Sequence, residues 1–349
     1  MAPSRTFLDL INICDNFHID RPNALNQFDA EELVPFTLTP LPKSPVIGLI
    51  RPVILVQLRN ENERSRDKQL PPVWEIGGTE PSKLRVSFAS WLVTPADRTD
   101  AMNELCERWR DTGLFEDTIG PKKWRKESYP VYRDPFGVHD NVQGQQFIDD
   151  KLNYAFEMER AAAALFGIVT YGVHMTIYRD SKDGMKIWVP TRAKTKQTWP
   201  GYLDNSVAGG IPSGIPPFEA VVKESMEEAN ITEDVVRKHV KAVGAVSYFT
   251  RTSKGWLQPE VEYVYELAIP ADADPVLFTP KPLDGEVESF ELLPVNQVIE
   301  KMREALFKPN CAVVLIDFFI RHGYITPDTE PNYVEIITRL HGRFDHERW

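Results

Sequence analysis

Residues 209–231 read GGIPSGIPPFEAVVKESMEEANI, and the order of residue types there sets the reading of the whole chain. Pro216 and Pro217 suit the first turn of a helix, where a missing N–H costs nothing. Asn230 suits the left-handed position that ends one. At the helical rotation per residue, Glu224, Glu227 and Glu228 fall within an arc of roughly 100°. Phe218, Val221, Val222, Ser225, Met226 and Ala229 take much of the other side. Three carboxylates on one face repel: at about 4 Å and an effective dielectric of about 20, each close pair costs roughly 4 kcal/mol. A divalent cation removes that cost. Ligands that are all oxygen favour Mg²⁺, with Mn²⁺ as the substitute, over zinc. Carboxylate-held Mg²⁺ is the usual partner of a diphosphate. The plain alternative is a solvated acidic helix face.

Working outward, the residues before the helix add candidates. Arg192, Lys194 and Lys196 alternate, so a strand would set all three on one side to meet phosphate oxygens. Trp199 and Tyr202 offer rings that stack on a heteroaromatic group or pack in a loop. Asp204 and Asn205 lead into Gly209 and Gly210. After the helix, DGEVESFELLP supplies Glu286 and Glu288, which share a face if extended. Glu286, following the Asp-Gly turn, is the favoured further metal ligand. His174 lies in an apolar strand and reads as structural.

The same texture extends to both sides. Strands over 171–179 and 185–190 flank Asp183-Gly184, a hairpin turn signal. Further strands are expected over 243–250 and 261–269, and helices over 312–321 and 333–340. The N-terminal part differs. A helix is expected over 7–17, then a buried strand over 46–58 interrupted at Pro52, strands over 73–76 and 84–93, and a helix over 101–112 capped by Thr99. Residues 134–146 read as a connector and 149–165 as a helix ending at Gly167. The domains expected are an N-terminal accessory domain over 1–133, a connector and helix over 134–165, and a second domain over 166–349 with C-terminal helices.

Composition sets limits. The chain has 349 residues, 40 Lys plus Arg and 51 Asp plus Glu, for a net charge of −11. That balance argues against a dedicated nucleic-acid binder. Its three cysteines, Cys14, Cys106 and Cys311, are widely spaced, which speaks against a zinc cluster or disulfide framework. No apolar run approaches the length of about 18 residues that spans a membrane. The opening MAPSRTFLDLINICDNFHID carries acids and has no charged segment followed by an apolar one. The expectation is a cytoplasmic protein without membrane or nucleic-acid partners. A homodimer is compatible with the sequence.

The 209–231 stretch resembles the Nudix box, G-x5-E-x7-R-E-U-x-E-E-x-G-U, where U is aliphatic. Gly209, Glu224, Glu227, Glu228 and Ile231 match it. Ile215, Lys223, Ser225 and Asn230 depart from it, but the E-x-x-E-E core is intact. A longer likeness runs through WRKESYPVY, GVHMTIY, RAKTKQTWPGYLDNSVAGGIP and FKPNCAVVLIDFFIRHGYITPD. These segments look like a Nudix subfamily of fungi and plants. Its members carry their own N-terminal domain and are related to a Nudix region fused to some thiamin pyrophosphokinases.

The resemblance implies an α/β fold: an α/β/α sandwich with a mixed sheet, preceded by a small α+β domain. It implies a Mg²⁺-dependent diphosphate hydrolase that converts damaged thiamin diphosphate, such as the oxo- and oxythiamin forms, to monophosphates. Glu224 would be the general base or share metal binding, Glu227 and Glu228 would hold the metal, and Glu286 would assist. Arg192, Lys194, Lys196, Trp199, Gly209 and Gly210 would meet the substrate. ADP-ribose, dinucleotides and nucleoside triphosphates are the competing substrates. An isopentenyl diphosphate isomerase shares the fold, but no cysteine here lies near the box. A non-catalytic metal- or diphosphate-binding module is the remaining alternative.

Overall fold

A computed structural model describes residues 4–18, 27–28, 30–77, 84–140 and 152–344. The first element, α1 (Phe7–Cys14), is started by a capping box in which Thr6 and Asp9 exchange hydrogen bonds. The chain then builds a four-stranded sheet from β1 (Val34–Thr37), β2 (Val46–Ile50), β3 (Trp74–Gly77) and β4 (Arg85–Phe88) in the order β2-β1-β4-β3. Helices α2 (Pro52–Asp67) and α3 (Pro95–Asp111) and the short α4 (Glu116–Ile119) accompany it. Phe36, Trp74, Phe88, Trp109, Phe156 and Phe166 fill its core. The ladder of β5 (Ser128–Tyr132) with β6 (Tyr154–Glu159) and a 3-10 turn over Arg160–Leu165 complete this half.

The second half is a mixed sheet ordered β10-β11-β7-β8-β12, with β9 alongside β7. Its strands are β7 (Thr170–Arg179), β8 (Lys186–Arg192), β9 (Val207–Gly210), β10 (Val240–Arg251), β11 (Leu257–Ala268) and β12 (Val287–Pro294). β11 runs parallel to β7, whereas β8 and β9 run antiparallel to it. Helices α5 (Pro217–Ala229) and α6 (Glu233–His239) cover one face through Val173, Met175, Val207, Ala220 and Val221. Helices α7 (Val295–Arg303), α8 (Pro309–Arg321) and α9 (Tyr333–Leu340) cover the other through Ile187, Val264, Leu315 and Phe318. The result is the expected α/β/α sandwich with a mixed sheet. Among the described residues no helix is long and apolar enough to cross a membrane.

Several expectations are corrected. The strand expected over 46–58 stops at Ile50, and Pro52 occupies the first turn of α2, where its fixed φ and absent N–H are tolerated. Ile54, Leu55 and Leu58 then face the core at helical spacing. The cap of α3 is Thr94, paired with Asp97. Thr99 lies inside the helix, and its hydroxyl accepts the Glu157 N–H at 3.0 Å. The helix expected over 149–165 is a strand followed by a 3-10 turn. Residues 149–151 lie outside the described residues. In β6 the backbone pairs with β5 and buries Phe156 and Met158, so tertiary pairing overrides the expected helix there, while the alanine run that follows forms the 3-10 turn. Helix α1 turns its apolar face, Phe7, Leu10, Ile11 and Cys14, into the core of the second half, although it begins the chain.

Candidate active site

The site is built around the end of β9 and the start of α5. Pro216 caps α5 and Pro217 opens it. Asn230 ends it at φ 53°, ψ 33°, the left-handed conformation that its short side chain tolerates. The departures from the box have local uses. Ile215 packs against the apolar cluster under α5. Ser225 is fully buried and its hydroxyl donates to the Val221 carbonyl at 2.6 Å. Lys223 Nζ reaches Glu227 at 2.7 Å and Glu224 at 3.3 Å, tying the two acids together.

The three acids differ in environment. Glu227 is half exposed. Glu224 packs against Gly209 so closely that a Cβ there would lie 2.3 Å from its Cγ. Burial raises the Glu224 carboxyl above its usual range; Lys223 opposes that shift, while Glu227 and Glu286 add to it. Glu228 is 8% exposed and accepts the Ala208 N–H at 3.2 Å. Burial, with Asp204 and Glu224 nearby, pushes its carboxyl well above the ordinary range. Such a group gains from a cation. The donors are all carboxylate oxygens, the set that suits Mg²⁺ or Mn²⁺. Among the described residues no three acidic, His or Cys side chains already converge on one point, and Lys223 holds the balancing charge.

Glu286 lies just ahead of β12, ion-paired with Lys196, and is near enough to act on Glu224. Glu288 is exposed next to the irregularity between Val287 and Ser289. The alternating strand of Arg192, Lys194 and Lys196 does not form, because β8 ends at Arg192 and the chain turns. Arg192 is buried and spends its guanidinium inside the protein. It pairs with Asp204, and its Nε and Nη2 donate to the carbonyls of Trp199 at 3.2 Å and Thr198 at 3.0 Å. Lys194 is exposed in the turn. Trp199 sits at φ 52°, 41% exposed, with its ring edge-on to Tyr202.

A polar network lies on the opposite face of β7. His174 is structural there, with Nδ1 2.6 Å from Asn205 Oδ1 and Nε2 facing Glu262. Glu262 Oε1 also accepts from the Tyr248 hydroxyl at 2.6 Å and from Asn310 at 3.3 Å. Burial of Asp204 is outweighed by Lys308 and Arg192, which hold its carboxyl at about 2. Sequence reasoning missed this network, since its members are scattered over five elements. It also missed Tyr129 and Arg160 of the first half, which meet Gly210 from that face. The one available signal was the segment WRKESYPVY, which contains Tyr129.

The family model described as the NUDIX domain matches residues 170–311, and one described as a domain of unknown function, DUF4743, matches residues 7–170. The chain is 42% identical over 311 residues to Nudix hydrolase 24, chloroplastic, of Arabidopsis thaliana, covering 88% of this chain and 73% of that one. It is 42% identical over 259 residues to the uncharacterized protein YJR142W of Saccharomyces cerevisiae, covering 70% of this chain and 69% of that one. It is 39% identical over 260 residues to Nudix hydrolase 20, chloroplastic, of Arabidopsis thaliana. That match covers 74% of this chain but only 62% of the relative.

Proposed function

The chain belongs to the Nudix family and is a Nudix-type pyrophosphatase, and on that premise we propose that it hydrolyses the diphosphate of thiamin diphosphate analogues, damaged forms above all, to monophosphates. The observation that carries the hydrolytic part is the setting of the three acids: Glu224 wedged on Gly209, Glu228 anchored to Ala208, and Glu227 half exposed at the rim and paired with Lys223. What supports the thiamin part is the long sequence likeness running through WRKESYPVY and RAKTKQTWPGYLDNSVAGGIP.

Glu227 and Glu228 are the residues that would hold a divalent cation, with Glu224 and Glu286 beside them. When bound, Mg²⁺ or Mn²⁺ would neutralise charge on the diphosphate oxygens. Glu224, raised above the usual carboxylate range by burial, is suited to accept the proton of the attacking water. The new bond joins the water oxygen to the terminal phosphorus, and the bridging P–O bond breaks. The products are phosphate and the monophosphate. Lys196, paired with Glu286, and Lys194 on the same turn would meet phosphate oxygens, and Trp199 would offer its half-exposed ring for stacking. Gly209 and Gly210 leave room at the strand end for Glu224 on one side and for Tyr129 and Arg160 on the other.

The test is a turnover panel with Mg²⁺ and with Mn²⁺, products resolved by chromatography. It compares thiamin diphosphate, its oxo- and oxy- analogues, ADP-ribose, NADH and nucleoside triphosphates. Preferred conversion of the oxo- and oxy- forms to monophosphates is expected. Preferred turnover of ADP-ribose or a dinucleotide would overturn the substrate assignment and leave the hydrolase in place.

A further inference from the structure

Gly172 of β7 and Gly210 of β9 face each other in register, so their missing side chains would project from the same face of the sheet. Both spaces are filled by oxygen atoms from elsewhere. Tyr129 Oη lies 1.4 Å from where a Cβ of Gly210 would be, and Glu262 Oε2 lies 2.2 Å from where a Cβ of Gly172 would be. Tyr129 is 2% exposed and Glu262 3% exposed, yet among the described residues neither of these two oxygens has a hydrogen-bond partner. A buried hydroxyl and a buried carboxylate oxygen left unpaired each carry a desolvation cost. Opposed side-chain positions on paired strands are about 5 Å apart, so the two oxygens belong to one neighbourhood of the sheet face.

Arg160 joins them. Its Cζ lies 3.3 Å from the Gly210 position and 5.0 Å over the Tyr129 ring, and its side chain is 41% exposed. One of its N–H groups donates to Glu127 at 2.9 Å. Arg125 stands close to both Arg160 and Glu286, which links this corner to the hydrolytic acids. Glu262 is held rigid for the task, since its other oxygen is occupied by Tyr248 and Asn310. Gly209 meets Glu224 on one face of β9, and Gly210 meets Tyr129 and Arg160 on the other. The acids and the unpaired oxygens therefore flank a single strand end.

We propose that the N-terminal half forms one wall of the substrate pocket: Tyr129 and Arg160 donate to acceptor atoms on the organic group carried by the diphosphate, and Glu262 accepts from a donor on the same group. This rests on the hydrolase reading and deepens it. The group is a polar heterocycle bearing both a ring acceptor and an amino or N–H donor. An alkyl diphosphate would gain nothing there.

The experiment compares wild type with Tyr129→Phe, Arg160→Gln and Arg160→Lys. Binding is read by calorimetry with thiamin monophosphate and with AMP, which requires no hydrolysis, so this test stands even if no diphosphate is turned over. Turnover is read with thiamin diphosphate, ADP-ribose and geranyl diphosphate. Tyr129→Phe and Arg160→Gln are expected to weaken the bound heterocyclic monophosphate by about tenfold, with Arg160→Lys recovering part of the loss. KM for the heterocyclic diphosphate rises while kcat stays within about twofold, and geranyl diphosphate is unaffected. Three outcomes overturn the proposal. One is unchanged affinity in Tyr129→Phe with a raised melting temperature, the mark of an unpaired hydroxyl or a bridging water with no ligand role. The second is an equal loss for geranyl diphosphate, and the third is no binding of either monophosphate by wild type.

Discussion

Glu224 rests on Gly209: the carboxylate of the box helix occupies the space where any other residue would carry its Cβ, 2.2 Å from Glu224 Cδ. The glycine is thus a steric requirement of the acid's position, imposed across the gap between β9 and α5. Gly209→Ala is expected to displace Glu224 and lower kcat by about 100-fold, the scale of a misplacement near 1 Å. The fold should survive, since the pressure falls on a side chain. Steady-state kinetics alongside circular dichroism checks this, and unchanged kcat would break the link between the contact and catalysis.

Graded losses are expected along α5. Glu224→Gln should lower kcat by about 100- to 10,000-fold, the range for removing a general base. Glu228→Gln should weaken metal binding by about 100-fold, yet the metal-free variant should melt at or above wild type, because a buried carboxyl crowded by Asp204 and Glu224 is replaced by a neutral group. Glu227→Gln should change stability by less than about 1 kcal/mol, since its pair with Lys223 is exposed. Metal titration and melting curves of all three, with and without Mg²⁺, would reveal a wrong order of roles.

His341 predicts a pH effect on stability. Its Nδ1 faces the Ala245 carbonyl at 3.0 Å and its Nε2 faces Asp317 Oδ1 at 3.3 Å, so both ring nitrogens meet acceptors and the protonated ring is favoured. Asp317 chiefly raises the His341 pKa above 6.5, with burial and Arg321 opposing. A raised folded-state pKa means the contribution is complete below the unfolded value and is lost as pH rises through the folded one. The melting-temperature gap between wild type and His341→Gln should therefore be widest just below the ordinary histidine range and shrink as pH rises above it. A gap that widens with pH would contradict the assignment.

Arg51 ties the two halves together. Its guanidinium meets Glu31 through two bonds of 2.8 Å, donates to the Lys254 carbonyl at 3.0 Å and lies 4.6 Å over the Trp256 ring. Arg51→Met leaves Glu31 with Arg251 alone and takes the donor from the Lys254 carbonyl, so it should cost about 1–3 kcal/mol in chemical denaturation. A loss under about 1 kcal/mol would show the pair to be dispensable.

How legible the site was depends on how local its signal is. The acids of α5 were readable because helical rotation places Glu224, Glu227 and Glu228 on one arc whatever surrounds them, and Asn230 ends the helix by its own conformational tolerance. Glu286 reads as a further ligand from a turn and an alternating strand; the chain pairs it with Lys196, and its charge acts on Glu224. The alternation of Arg192, Lys194 and Lys196 misled, because nothing local reveals that Asp204 and the carbonyls of Thr198 and Trp199 capture the arginine and bend the chain away.

By itself, then, the sequence determined the box helix, its acids and the hairpin at Asp183-Gly184. All of these follow from periodicity and turn chemistry within short windows. Only the tertiary structure decided that residues 154–159 pair as a strand, that α1 packs in the far core, and that Tyr129 and Glu262 fill the spaces beside Gly210 and Gly172. The reason is physical: such contacts join segments tens of residues apart. Their energy comes from a partner strand or a buried gap that no local pattern of residues encodes.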